Sequence, residues 1–258
     1  MHTRAQEIAT WMREQVSSAG SRGIVVGLSG GIDSAVVAGL ATMAMPGHVV
    51  GVMLPCHSDP EDVVDAKLAA DHFNLPAVTV DLAPAYDTLL SDLRKAVTSL
   101  PRNQQPVSTA DDVDIRMRVP VANVKPRLRM TSLYFVANSL NYLVAGTGNR
   151  SELTIGYFTK YGDGGVDLLP IGRLLKSEVR TLARELNVPA PIIDKAPSAG
   201  LWHGQTDESE MGFTYADLES YLTKGPQTVS PALGLKIERL ARASDHKRAM
   251  PPAPDEDE

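Results

Sequence analysis

A single cysteine, Cys56, stands among 258 residues. That excludes an intramolecular disulfide and a cysteine-rich zinc or iron–sulfur centre, and it weighs against sulfur-transfer chemistry. No apolar run approaches the ~20 residues a membrane span needs, and Met1 to Gln15 lacks the apolar core of a signal peptide. A cytoplasmic protein with no membrane partner is the expectation. A basic excess is missing too: 25 Lys and Arg face 31 Asp and Glu, for a net charge of −6. Four of those acids, Asp255 to Glu258, close the chain behind Pro251, Pro252 and Pro254, and without them 25 bases face 27 acids. A broad nucleic-acid-binding surface is therefore not expected. Internal repeats and a linker are absent as well. One domain over residues 1–250, followed by an acidic, disordered tail over 251–258, is expected. The 43% hydrophobic content is enough for a sizeable core.

What is present is an alternation of short apolar runs with helical periodicity. Ala5, Ile8, Ala9, Met12 and Val16 predict an opening helix that ends near Gly20. Strands are predicted at Ile24–Leu28, His48–Leu54, Val78–Leu82 and Tyr142–Gly146. Between them, helices are predicted at Asp33–Met45, Asp62–Phe73, Ala85–Leu100 and, as one long helix interrupted near Pro126, Val121–Asn141. Further helices are expected at Lys176–Leu186 and Ala232–Ala243, with polar loops at Pro101–Val113 and Pro197–Glu210. This order implies an α/β fold: a doubly wound, mostly parallel sheet covered by helices on both faces.

Ser29-Gly30-Gly31-Ile32-Asp33-Ser34 falls where the first strand gives way to a helix. Ligands bind doubly wound sheets at such carboxyl ends of strands. Glycines let the backbone approach an anion, and the amides and dipole at a helix start favour phosphate. Ser29 and Ser34 add hydroxyls, and Asp33 offers a hard oxygen for Mg²⁺. The chain has no Gly-Lys dipeptide and no G-x-G-x-x-G, so Walker-type and dinucleotide-fold phosphate loops are both excluded. A plain Gly/Ser turn capped by Asp33 is the bland alternative. The six residues resemble the S-G-G-x-D-S loop of N-type ATP pyrophosphatases, and that resemblance implies cleavage of ATP between its α- and β-phosphates.

The second half narrows the resemblance. Gly146-Thr147-Gly148-Asn149-Arg150-Ser151-Glu152 precedes the run from Gly156 through Tyr157, Phe158, Thr159, Lys160, Tyr161, Gly162, Asp163 and Gly164 to Gly165. Asp167-Leu168-Leu169-Pro170, Lys176 and Lys195-Ala196-Pro197-Ser198 follow. Together these are similar to the bacterial ammonia-dependent NAD synthetase family, from the first strand to the region of His246. The resemblance implies an adenine nucleotide alpha hydrolase-like fold. It also implies an ATP-dependent amidation of deamido-NAD with ammonia, passing through an acyl-adenylate to NAD, AMP and pyrophosphate.

By that resemblance Gly27, Leu28, Ser29, Gly30, Gly31, Ile32, Asp33 and Ser34 bind ATP phosphates, with Thr147, Lys176 and Ser198. Asp33 and Glu152 hold Mg²⁺. The family commonly has Thr where Ser198 stands, which keeps the hydroxyl. Arg127, Lys160, Asp167, His246 and Lys247 contact deamido-NAD, and Asp33, Lys160 and Lys176 carry the chemistry. Family members are homodimers with this substrate at the interface. The apolar Leu133, Val136, Ala137 and Leu140 serve either that interface or the core, and Lys125, Arg127 and Arg129 suggest either a positive wall for the dinucleotide pyrophosphate or an ordinary helix start. The adenylating loop begins within the first 30 residues, leaving no room for an amidase domain ahead of it, so free ammonia or a separate partner is the expected nitrogen source. The rivals are a GMP-synthetase-like amidating module and a non-catalytic nucleotide-binding protein. Retention of Asp33, Glu152, Lys160 and Lys176 together counts against the latter.

Overall fold

The structure is a computed structural model that describes residues 3–101, 103–104, 112–198, 200 and 206–254. Four parallel strands, β1 (Gly23–Gly27), β2 (Val49–Met53), β3 (Ala77–Thr79) and β4 (Tyr142–Ala145), lie in the order β3-β2-β1-β4. Ile24 stands opposite Val49 on one side and Leu143 on the other, so β1 is a central strand paired along both edges. Its side chains alternate as the pleat requires. Ile24 and Val26 face one apolar cluster, Val25 faces another, and all three are fully buried. Each contributes about 1.5–3 kcal/mol by leaving water.

The first cluster lies under α1 (Arg4–Ser18), α2 (Ile32–Ala44) and α3 (Pro60–His72), with α8 (Lys176–Glu185) and α9 (Ala190–Asp194) beside them. Helix α2 is apolar around its circumference and buried along most of its length, as a helix clamped between sheet and other helices must be. The second cluster lies under α4 (Ala83–Thr98), α5 (Asp112–Ala122) and α6 (Val124–Leu140). Helices therefore cover both faces, as the alternation of elements predicts. Leu133, Val136 and Ala137 pack into this second cluster, which assigns them to the core, while Leu140 is 38% exposed. Cys56 is buried there as well, its thiol pushed up by desolvation.

The predicted helix Val121–Asn141 is α6, preceded by a helix, α5, that the periodicity does not show and whose last two residues the prediction had joined to it. The chain breaks at Asn123, and Pro126 sits in the first turn of α6, where its missing N–H removes no intrahelical bond. The expected loop Pro101–Val113 already turns helical at Asp112, and residues 105–111 lie outside the described ones. The expected disordered tail is described only to Pro254, its first four residues exposed, and 255–258 also lie outside.

A third, helical cluster stands beyond β4. It joins α7 (Arg150–Ile155), α10 (Asp207–Met211), α11 (Tyr215–Lys224) and α12 (Pro231–Ala243) through Ile155, Met211, Leu218 and Ile237. Sequence periodicity misses α5, α9, α10 and α11, of which α9 and α10 have only five residues each. The start of α11 was nonetheless legible, since Thr214 and Asp217 form a capping box. After α7 the chain returns to the sheet, and Leu168 bridges Ala145 in parallel. Among the described residues no helix is long and apolar enough to cross a membrane.

Candidate active site

The loop leaving β1 is held by its own serines. Ser34 Oγ donates to Gly31 O (2.9 Å), and Ser29 Oγ donates to Ser34 Oγ (3.1 Å) while accepting from the Gly31 amide (3.3 Å). Gly30 has φ +81°, and a Cβ there would fall 2.3 Å from the Asp62 carbonyl oxygen of α3, so the turn admits only glycine. Gly31 caps α2 without a side-chain hydrogen bond. The first-turn amides and the positive helix end are thereby left to an anion.

Asp33, in the first turn of α2, meets two segments far away in sequence. Its Oδ1 accepts from Asn149 Nδ2 (3.1 Å) and its Oδ2 from Lys176 Nζ. Asn149 also caps α7: its side chain accepts from the Glu152 amide (3.1 Å), and Glu152 Oε2 accepts from the Asn149 amide (3.2 Å). That box aims Glu152 Oε1 at Lys176 Nζ, 3.2 Å away. The Lys176 backbone in turn donates to Ser151 Oγ (3.2 Å), tying the start of α8 to α7. One ammonium, 3% exposed, thus lies between two carboxylates.

The network continues into the helical cluster. The Tyr215 hydroxyl lies 2.8 Å from Asp207 Oδ2 and 3.3 Å from Glu152 Oε1. With one proton to give, it donates to the nearer oxygen. Asp207 is 4% exposed, and among the described residues its Oδ1 is a buried acceptor without a donor. Burial raises the carboxyls of both Glu152 and Asp207. For Glu152 the Lys176 charge pulls the other way while Asp33 adds to the rise; for Asp207 the Tyr215 hydrogen bond pulls the other way. Burial by itself lowers Lys176, yet Asp33 and Glu152 outweigh it and hold the ammonium charged.

A cavity of about 440 Å³ opens over this network. It is lined by Gly27, Leu28, Ser29, Gly31, Ile32, Asp33, Ser34, Thr147, Glu152, Lys176, Ser198 and Lys247 among the residues singled out above. Gly30 turns away from the lining, against α3. Lys247 Nζ donates to the Gly156 and Phe158 carbonyls, both at 2.8 Å, which steers the C-terminal segment onto the cavity rim. Besides Gly30, four predicted residues stand outside the lining. Arg127 reaches the Lys160 carbonyl (3.4 Å), and Lys160 Nζ reaches the His246 carbonyl (2.5 Å), forming one exposed chain. Asp167 stands apart from these, accepting from the Tyr134 hydroxyl (2.9 Å) and the Val144 amide (2.8 Å).

Lys125, Arg127 and Arg129 do not form one wall, because Arg127 lies two positions from each of the others and points to a different side of α6. Lys125 is buried near the Tyr86 ring (5.6 Å), and Arg127 is exposed. Arg129 donates to the Leu54 carbonyl (3.1 Å) and Ser58 Oγ (3.2 Å) and lines the cavity. Hard carboxylate oxygens on Asp33 and Glu152 suit a divalent cation such as Mg²⁺. Among the described residues no group of three His, Cys, Asp or Glu side chains is arranged to hold a metal ion.

A profile of the NAD synthase family matches residues 4–251. The chain belongs to this family. It is 50% identical over 251 residues to the NH3-dependent NAD+ synthetase of Carboxydothermus hydrogenoformans, covering 97% of this chain and 96% of that one. NMN synthetase from Francisella tularensis matches with a TM-score of 0.85 at 36% identity, over 98% of this chain and 97% of that one. NH3-dependent NAD synthetase from Campylobacter jejuni matches with a TM-score of 0.75 at 29% identity, again over 98% and 97%. The doubly wound sheet is therefore the NAD synthase fold, and the GMP-synthetase-like alternative is not favoured.

Within that fold, sequence reasoning passed over Asn149, Asp207 and Tyr215 as site residues. For Asn149 a signal existed, since Asn149-Arg150-Ser151-Glu152 spells a helix start. For Asp207 and Tyr215 none did, because their meeting with Glu152 is made by packing.

Proposed function

We propose that this protein forms the amide of a nicotinate nucleotide, with deamido-NAD as acceptor, ATP as activator and ammonia as nitrogen donor, releasing AMP and pyrophosphate. Of the chain's own features, the one that carries the reading is the buried Lys176 between Asp33 and Glu152, at the mouth of the Ser29–Ser34 loop. A phosphate loop that only bound nucleotide would need no second carboxylate opposite the first.

The loop amides and the two serine hydroxyls would hold the departing pyrophosphate, with Thr147 and Ser198 on the nucleotide. Lys176 is charged and desolvated, so it would act on developing phosphate charge far more strongly than a surface lysine does. Asp33 and Glu152 would hold Mg²⁺, which neutralises phosphate charge as the nicotinate oxygen attacks. Arg127, Lys160, Asp167 and His246 would contact deamido-NAD from outside the cavity, with Lys247 on its rim. That division fits a homodimer in which the substrate spans two chains. A nicotinate mononucleotide acceptor is the second reading, favoured by the likeness to the Francisella NMN synthetase.

One experiment separates these readings. Enzyme, ATP, Mg²⁺ and ammonium are mixed with deamido-NAD or with nicotinate mononucleotide, and the products are resolved by chromatography. NAD and AMP from the first mixture are expected. A preference for the mononucleotide would move the assignment to the second reading, and formation of ADP, or turnover of xanthosine monophosphate, would overturn both. Asp33→Asn is expected to lower AMP formation at least ~100-fold, the scale of losing a central electrostatic contact.

A further inference from the structure

The Asp33–Lys176–Glu152 group leaves one neighbouring charge unanswered. Asp207 is 4% exposed, yet among the described residues only its Oδ2 has a donor, the Tyr215 hydroxyl at 2.8 Å, while Oδ1 is buried with none. The Tyr157 hydroxyl also bears on this carboxylate, but its one proton goes to Glu210. A buried carboxylate oxygen without a partner is costly, and native chains keep one where something else is to bind. Lys176 does not fill the place, because it bonds Asp33 and Glu152. Three carboxylates thus face one lysine at this end of the cavity, an excess of negative charge that draws in a cation. Tyr157, whose hydroxyl donates to Glu210 (2.7 Å), lines the same end, and the Tyr215 ring stands beside it. A single free carboxylate oxygen with aromatic neighbours suits a small monovalent cation carrying N–H donors. Mg²⁺ demands several hard oxygens and its own waters, and fits such a place poorly.

We propose that Asp207 Oδ1 is the docking point for the nitrogen substrate, which enters the cavity as ammonium. The inference rests on the amidation reading above. It concerns where the cation waits, and it assigns Asp207 to the second half-reaction and not to the activation of ATP. Most ammonia in neutral water is protonated, so the site concentrates the cation. Before attack the bound ammonium gives one proton to Asp207 Oδ1, and the neutral ammonia left there is the nucleophile.

The two half-reactions give the test. Acceptor-dependent exchange of labelled pyrophosphate into ATP reads adenylation alone, and AMP release against ammonium chloride reads amidation. For Asp207→Asn, KM for ammonium is expected to rise roughly 10- to 100-fold, the loss of one charge-assisted hydrogen bond, and by a larger factor than any fall in exchange. Hydroxylamine, uncharged at the assay pH, should serve wild type and variant alike. An unchanged ammonium KM overturns the proposal, and so does loss of exchange, which would place Asp207 in the adenylating machinery. Failure of the wild-type enzyme to exchange pyrophosphate with either nicotinate acceptor would instead sink the amidation reading. Should Asp207→Asn not fold, the wild-type melting temperature is compared in ammonium and tetramethylammonium chloride at equal ionic strength with ATP, Mg²⁺ and acceptor omitted. A rise specific to ammonium supports the site, and equal melting overturns it.

Discussion

Lys176 and Asp207 sit in one buried network with opposite consequences for the fold. Lys176 has two carboxylate partners, so its charge is answered. Asp207 has an orphan oxygen, and burial lifts its carboxyl above the ordinary range. The folded chain then binds a proton at this position more readily than the unfolded chain does. Stability should fall as pH climbs from the ordinary carboxylate range to the raised value, because over that window ionisation costs the folded state alone. Asp207→Asn removes that loss. Its melting temperature should exceed wild type's by about 2–4 °C near pH 8, for ~1 kcal/mol, and the gap should close near pH 4. Scanning calorimetry at both pH values checks this, and equal melting near pH 8 would contradict it. A site that gains stability when a charge is deleted is one shaped for a ligand and not for the fold.

At the scale of elements, the loop between β1 and α2 is set by contact with α3. Gly30 and Gly47 have nearly the same backbone, φ +81° and +77°, but a Cβ at Gly30 would strike the Asp62 carbonyl while one at Gly47 meets nothing within 4 Å. Gly47→Ala should therefore lose only the left-handed penalty, about 1–2 kcal/mol. Gly30→Ala carries that penalty plus the clash and should melt lower than Gly47→Ala by several degrees, losing AMP formation as the loop shifts. Matched melting curves for the two variants decide it, and equal losses would mean that the loop is not seated on α3. The break at Asn123 is an element-scale lesson of the same kind. Pro126 looked like an interruption within a helix, yet a proline in the first turn marks a beginning.

At the scale of the molecule, the outer side of α6 presents Phe135 at 76% exposure, and Tyr161 (55%) and Val119 (55%) are exposed as well. The inner side of α6 is already committed to the core. In the proposed homodimer these outward rings would meet the partner, and the Arg127–Lys160–His246 chain would reach a substrate shared between subunits. Phe135→Glu is then expected to shift sedimentation from dimer to monomer and to raise KM for deamido-NAD. Its effect on unfolding free energy should stay within ~0.5 kcal/mol, as for other exposed positions. An unchanged dimer with unchanged KM would remove α6 from the interface.

What the sequence determined by itself is what lies within one turn or one strand: the Ser29–Ser34 loop, the buried β1, and the helical faces of α1 and α4. These are contiguous patterns, read at the periods of 2 and 3.6 residues that local backbone geometry imposes. The five-residue α9 and α10 offer too few turns for a period to show. Only the tertiary structure decided that Asp33 and Lys176, 143 positions apart, and Glu152 and Tyr215, 63 apart, would converge. Nothing local encodes such meetings, because they follow from how α2, α7 and α8 pack around the end of the sheet and how α11 packs on α7. The family resemblance carried over Lys176 as a contact to phosphate. Packing makes it first the partner of two carboxylates and leaves Asp207 beside them with an oxygen to spare.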